Sequence, residues 1–428
     1  MNDRRIQIVA SIGARLTIGA YPLAFILGLG SAYGKEVFDV AAAALNWASY
    51  LNVLLLSGFA LAPPAMARLL AGSGSKEDNR ASLRDHVALE RALLLVALCA
   101  AVLLWFFIGR VFPELAERGG NRLSVWYPMF AVLSVSQLPL TLWMGIAQAV
   151  GEYRAILVWT LVPRLLAILA LFGASAIGLD ATVAICASVL VVLVGQLHIA
   201  RLGRDLVDRA DSSVLETRGR AANVFWSNLS SGLISLVGTL VTIAPVTLVG
   251  HVLPDEVGVA HVLVTLSNAF GAIVVAAFFP LSLRLAVSVL LPGAMRRHSL
   301  VVARGVGALA GAALALAWLT FPGCSLLIPS CGWSLYLSGS LVLLGAGFRL
   351  ASLGVLHSAI SRGHPHLSLV SAFAEGAIVT ALAWVLVKGE GILGIGLAFF
   401  AGGVARLVLA FMLELPLIER TADSPKSL

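Results

Sequence analysis

A chain of 428 residues that is 59% hydrophobic and only 12% charged is far more apolar than a soluble domain, which averages roughly 45–50% apolar and 25% charged residues. Its mean hydropathy of +0.96 excludes a water-soluble globule. The formal net charge of +7 comes from basic residues scattered among short loops, a pattern of membrane topology and attraction to anionic headgroups rather than of a nucleic-acid partner.

Apolar runs of about 20 residues recur along the chain, each long enough to cross a ~30 Å hydrocarbon layer at ~1.5 Å per residue. Twelve spans are predicted, over 6–30, 37–61, 92–112, 124–148, 155–177, 181–200, 222–250, 257–283, 300–321, 334–357, 367–387 and 392–414. The runs are continuously apolar and do not alternate, so they read as helices and not as barrel strands. Arg4 and Arg5 ahead of the first run resemble the start of a secretory signal. The run is long, however, and no small-residue cleavage site closes it, so it is read as a retained span 1.

Basic residues accumulate in loops that stay in the cytoplasm. With the N-terminus inside, cytoplasmic segments hold 20 Lys and Arg, the opposite loops hold five (Lys35, Arg110, Arg118, Arg122 and Lys388), and four lie within spans. Both ends are therefore expected in the cytoplasm. Aromatic residues at outer span ends, Trp126, Tyr127, Trp333 and Tyr336, read as an interfacial belt. Cys99 and Cys186 fall inside spans and read as packing residues. Cys324 and Cys331 share one outward loop, where six intervening residues can close a small ring and an oxidising periplasm would permit a disulfide.

A cytoplasmic connection, Arg201 to Arg220, carries five Arg, three Asp and a Glu near the midpoint and divides the spans six and six. Weak similarity links the halves. Glu36-Val37 opens span 2 as Glu256-Val257 opens span 8, at an offset of 220 residues; Gly151 to Val158 after span 4 corresponds to Gly363 to Val370 after span 10, at an offset of 212. The expected fold class is an all-α membrane protein of about twelve transmembrane helices in two pseudo-symmetric six-helix lobes, N-in and C-in. Residues 1–200 form the N-terminal lobe, 201–221 a cytoplasmic linker, 222–414 the C-terminal lobe and 415–428 a cytoplasmic tail. Six spans per half give both halves the same orientation, as in transporters built from parallel repeats, with the substrate path between the lobes and spans 1, 2, 7 and 8 as its chief lining.

Charges inside spans are the informative residues, since each costs at least ~2.5–3.5 kcal/mol near a helix centre. Arg15 and Arg164 lie nine residues from the cytoplasmic ends of their spans, and Arg349, Glu375 and Arg406 lie eight. Such a distance corresponds to roughly 12–13 Å along a helix, one shared depth. Four guanidinium groups against one carboxylate would make an electropositive cavity, and the planar Arg fork suits a phosphate. In a second reading these arginines satisfy backbone carbonyls or pair locally, for example Arg349 with Glu375, and only lock helices together. By the Gly151/Gly363 correspondence Arg164 aligns with Gly376, next to Glu375, which sets a base against an acid across the pseudo-symmetry.

Polar and aromatic residues also interrupt span 2 (Asn46, Trp47, Tyr50, Asn52) and span 7 (Asn223, Trp226, Asn228, Ser231). Of these Asn46, Tyr50, Asn223, Trp226 and Asn228 are the candidate sugar-binding residues, with hydrogen bonding between neighbouring helices as the competing role. No phosphate-binding Gly-x-x-x-x-Gly-Lys-Ser/Thr loop and no His-Glu-x-x-His pair occurs, so neither ATP hydrolysis, a metal nor a cofactor is expected.

Three segments carry a family resemblance: Leu29 to Phe38 continuing through Ser57-Gly58-Phe59, the Gly151-Glu152-Tyr153-Arg154 turn, and Pro254 to Gly258. They resemble the polysaccharide transporter branch of the multidrug/oligosaccharidyl-lipid/polysaccharide (MOP) superfamily, which includes the Wzx-type O-antigen flippases. The first turn departs from that pattern, with Tyr33-Gly34 before the acidic residue and Asp39 where a small residue is commoner. The resemblance implies a transporter, not an enzyme, in the bacterial inner membrane. It would flip an undecaprenyl-pyrophosphate-linked oligosaccharide by alternating access, with Arg15, Arg164, Arg349 and Arg406 on the pyrophosphate and Glu375 coupling or pairing. Implied partners are the lipid-linked oligosaccharide, membrane lipids, and the polysaccharide polymerase and chain-length machinery. A cation-coupled multidrug exporter on the same fold is the alternative, and it would need more intramembrane acid than Glu375. A membrane enzyme of polysaccharide assembly is a third reading, for which the short outer loops leave little room.

Overall fold

The computed structural model describes residues 2–54, 65–66, 69–70, 75–212, 214, 219–227, 229–288, 292–320, 332–361 and 365–422. Nearly all of them are helical. In chain order the helices are α1 (Asn2–Tyr33), α2 (Lys35–Ser49), α3 (Lys76–Val111), α4 (Pro113–Arg118), α5 (Arg122–Val150), α6 (Tyr153–Ala176), α7 (Ala181–Asp211) and α8 (Ala221–Ser227). There follow α9 (Leu229–Val252), α10 (Val257–Ser288), α11 (Pro292–Thr320), α12 (Trp333–Ala351), α13 (Leu353–Ser361), α14 (Leu369–Glu390), α15 (Ile392–Leu409) and α16 (Leu415–Ala422).

Among the described residues ten helices are long and apolar enough to cross a membrane. Predicted spans 2 and 7 are the two that fall short. The first passes from α2 into a 3-10 turn, Tyr50–Leu54, ahead of residues outside the description. The second is divided between α8 and α9 at Asn228, which is itself outside the description.

Local chemistry sets several of the boundaries. The Ser75 hydroxyl accepts the Asp78 N–H at 3.2 Å, with Glu77 and Asp78 in the first turn of α3, so both the orphan amides and the helix dipole are met by oxygen. Asp180 does the same for α7 by accepting the Thr182 N–H at 2.8 Å. Gly151 ends α5 at φ +99°, a left-handed conformation that side-chain-bearing residues rarely adopt.

The chain divides into two compact units, Met1–Leu236 and Val237–Leu428. The boundary falls inside α9 and not in the basic connection after span 6, for two reasons. Helix α7 carries the chain out as far as Asp211, so much of that connection is helix. Helix α8 then packs against α3, within the first unit.

The two units pair their helices in the same order. In the first, α2, α3 and α7 pack on α5, and α6 packs on α7; in the second, α10, α11 and α15 pack on α12, and α14 packs on α15. Outward faces carry large apolar side chains such as Phe106, Leu169, Val385 and Met412, all more than two-fifths exposed, as lipid solvation allows.

Two sequence readings are corrected here. Trp126 and Tyr127 are fully buried, donating to Thr182 Oγ1 at 3.1 Å and to the Ala101 carbonyl at 2.9 Å. Their polar tips are met by the protein, so they join helices and do not form a belt, whereas Trp333 is exposed as a belt residue would be. Cys99 is exposed rather than packed in a core, on a stretch of α3 whose Leu98, Val102 and Leu103 are at least half exposed as well.

Candidate functional site

In the second unit, helix α15 is drawn against its neighbours by a pair of glycines. A Cβ on Gly403 would lie 2.2 Å from the Gly345 carbonyl oxygen of α12, and one on Gly402 would lie 2.4 Å from a Val379 methyl of α14. This approach places Arg406 of α15 on Glu375 of α14, with Nη1 donating to Oε2 at 2.6 Å. Arg349 of α12 stands on the other side, its Nε 3.8 Å from Glu375 Oε1 and its Nη2 donating to Ser267 Oγ of α10 at 3.3 Å.

Glu375 is 3% exposed and Arg406 7%. Three of the five residues predicted at one depth are thus a single buried cluster of two cations and one anion. The local pairing of Arg349 with Glu375 is present, and Arg406 is the closer partner. Sequence reasoning missed a fourth member of this region. Helix α15 runs into a π-helical turn, Ala410–Glu414, where buried Glu414 accepts the Ser371 N–H at 2.9 Å. Its only signal was an acid at the very end of span 12. Extra residues in a helical turn re-aim side chains and recur at functional positions.

The first unit holds Arg164. Pro163 sits one residue before it in α6, and Gly195 of α7 lies where a Cβ would come within 2.5 Å of the Pro163 ring. Arg164 is 4% exposed. Its Nη1 donates to the Thr160 carbonyl at 2.9 Å, and its guanidinium lies 5.7 Å from the centre of the Tyr21 ring of α1. Among the described residues no carboxylate stands within 4 Å of it, and both its Nε and the Tyr21 hydroxyl are buried without a hydrogen-bond partner there. A buried donor set of this kind is costly unless something answers it.

Asn46 of α2 is buried, and Tyr50 stacks edge-on with Trp47 at 5.0 Å. Trp47 in turn donates to the Leu104 carbonyl of α3 at 2.8 Å, a bond between helices. The side chains of Arg15, Asn223 and Trp226, and residues Asn228, Cys324 and Cys331, lie outside the described residues. Among the described residues the chemistry is electrostatic: a cluster of two guanidinium groups sharing one carboxylate in the second unit, and in the first a guanidinium that meets a carbonyl and an aromatic face with no carboxylate beside it.

No protein-family profile matches the chain, and no curated protein does. Solved structures do. A multidrug resistance MATE family transporter of the MOP superfamily in its inward-facing conformation is similar over 98% of this chain and 100% of its own, with TM-score 0.61 and 13% identity. A eukaryotic MATE transporter is similar over 98% of both chains, with TM-score 0.62 and 14% identity. An outward-facing MATE structure of the same superfamily is similar over 97% of this chain and 96% of its own, with TM-score 0.53 and 14% identity. The chain thus has the two-lobed fold of MATE transporters over its whole length, and it is a multi-pass membrane protein. A fold shared across a superfamily does not select the polysaccharide branch that the sequence resembles.

Proposed function

We propose that this protein is a MOP-superfamily transporter of the bacterial inner membrane, with both ends in the cytoplasm, and that it exports an amphipathic substrate whose anionic group is held by Arg164. The observation that carries the proposal is the buried guanidinium without a countercharge among the described residues, in a chain with a transporter fold from end to end. A planar donor fork in a low-dielectric setting favours carboxylate or phosphate oxygens. The Tyr21 ring supplies an apolar face and its hydroxyl one further donor or acceptor.

For the substrate class, export of small organic molecules is the better-supported reading, because solved neighbours are described as multidrug resistance transporters. Flipping of a lipid-linked oligosaccharide rests on the sequence resemblance, and Arg164 favours it to the extent that a pyrophosphate is the anion. One acidic residue that a cation-coupled exporter would use, Glu375, is engaged by two arginines.

Efflux from proteoliposomes tests the reading, using dyes matched in size that differ in carrying a carboxylate or an ammonium group. Preferential transport of the anionic dye is expected. Preference for the cationic dye sinks the anion assignment. Accumulation of a lipid-linked oligosaccharide in cells lacking the protein would select the flippase reading over the exporter.

A further inference from the structure

A cavity of about 690 Å³ lies among α3, α5 and α7 of the first unit, away from Arg164, and its two ends differ in chemistry. Along most of its length the walls are apolar: Leu98, Val102 and Trp105 of α3, Val132 and Pro139 of α5, and Leu197 of α7. All but Pro139 are nearly half exposed or more, so the cavity is a groove open along the outward faces of these helices. From Glu90 to Trp105 helix α3 rises about 22 Å, at 1.5 Å per residue, a length suited to one extended acyl chain.

The other end carries both signs of charge. Glu90 of α3 is 2% exposed. Its Oε1 accepts from Trp143 Nε1 at 3.1 Å and Arg204 Nη2 at 3.3 Å, while its Oε2 is buried without a hydrogen-bond partner among the described residues. Beside it, Arg204 lies over the Trp143 ring at 5.3 Å. Arg201 is largely exposed and only 4.0 Å from Asp205. One carboxylate oxygen at this end of the cavity lining therefore lacks a donor, and the exposed guanidinium groups of Arg201 and Arg204 stand beside it.

We propose that this groove binds a phospholipid with a phosphoethanolamine headgroup. The primary ammonium donates to Glu90 Oε2, the phosphate meets Arg201 and Arg204, and one acyl chain lies along α3. The pairing of signs is what selects this headgroup. A purely anionic lipid would set no donor on Glu90, and a trimethylated ammonium has no N–H to give.

Native mass spectrometry of the full chain, released from nanodiscs of equal phosphatidylethanolamine, phosphatidylcholine and phosphatidylglycerol, reads the retained lipid. Phosphatidylethanolamine is expected on the order of tenfold over the other two, the scale of one charge-assisted hydrogen bond. Glu90→Gln removes the preference. Arg201→Gln, at an exposed position that leaves folding intact, lowers retention of all three lipids together. Leu98→Trp, which fills the groove from its exposed wall, removes bound lipid whatever its headgroup. Equal retention of the three lipids, a preference for phosphatidylglycerol, or retention unchanged in Leu98→Trp overturns the assignment.

Discussion

Arg164 and Glu375 carry opposite charges, lie one position apart in the internal correspondence, and end in different company. Glu375 meets two guanidinium groups, and Arg164 meets a carbonyl and a ring. The difference makes separate predictions. Arg164→Ala is expected to abolish transport while leaving expression and thermal unfolding close to wild type, and Arg164→Lys to recover only part of the rate, because the bidentate fork is lost. Full transport by Arg164→Ala would remove that residue from the site.

Glu375→Gln removes the carboxylate that Arg349 and Arg406 share and is expected to cost about 3–5 kcal/mol. Adding Arg406→Met should recover most of that stability, since replacing a buried ion pair by apolar groups is often neutral. Unfolding in detergent measures both variants. If the double variant is no more stable than Glu375→Gln alone, the pair does not act as one unit.

Asp180 lies outside the spans, and its carboxyl is held below the ordinary aspartate range, first by the Thr182 side chain and then by the Thr182 backbone N–H, with Arg122 adding a smaller pull. A depressed carboxylate adds stability above its unfolded pKa and loses it as pH falls through the folded value. Asp180→Ala is therefore expected to lower the unfolding midpoint at neutral pH and to leave a flatter acid limb. An unchanged acid limb would show that the cap contributes nothing.

At the scale of helices, close approach decides the site. Gly195 lets α7 reach the Pro163 ring beside Arg164, and Gly403 lets α15 reach the Gly345 backbone of α12. A methyl group at either place has to displace backbone or a proline ring. Gly195→Ala and Gly403→Ala are each expected to destabilise by about 1–3 kcal/mol, the usual range for overpacking. Gly403→Ala should also weaken the Arg406–Glu375 pair, whereas Gly195→Ala should depress transport through Arg164. Equal stability of Gly403→Ala and wild type in detergent would show that α15 can back away at no cost.

For the molecule as a whole, the cytoplasmic placement of both ends is open to direct measurement. Single cysteines introduced at Arg209 and Arg122, in a background lacking the native four, are expected to label from the cytoplasmic and the periplasmic side respectively. The reverse pattern would invert the topology. Non-reducing mass spectrometry of the unmodified chain settles the Cys324–Cys331 pairing, and two free thiols would end it.

The sequence by itself determined the helices, because a residue's hydropathy and its neighbours on one run are local quantities. Ten of the predicted spans coincide with helices long and apolar enough to cross a membrane, and the described parts of spans 2 and 7 are helical too. The repeat was legible too, through two short correspondences that the matching order of helix packing now extends. Span-internal charge was visible from residue positions along the apolar runs, which is why Arg164, Arg349, Glu375 and Arg406 stood out. Only the tertiary structure decided which of these charges answer one another. That choice depends on which helices approach closely, and the approach rests on single glycines that carry no hydropathy signal. The same reason hid Glu90 and Glu414, acids at the edges of predicted spans 3 and 12 that packing buries. It also turned Trp126 and Tyr127 from interfacial residues into ties between helices, since neither burial nor a hydrogen-bond partner on another helix can be read along the chain.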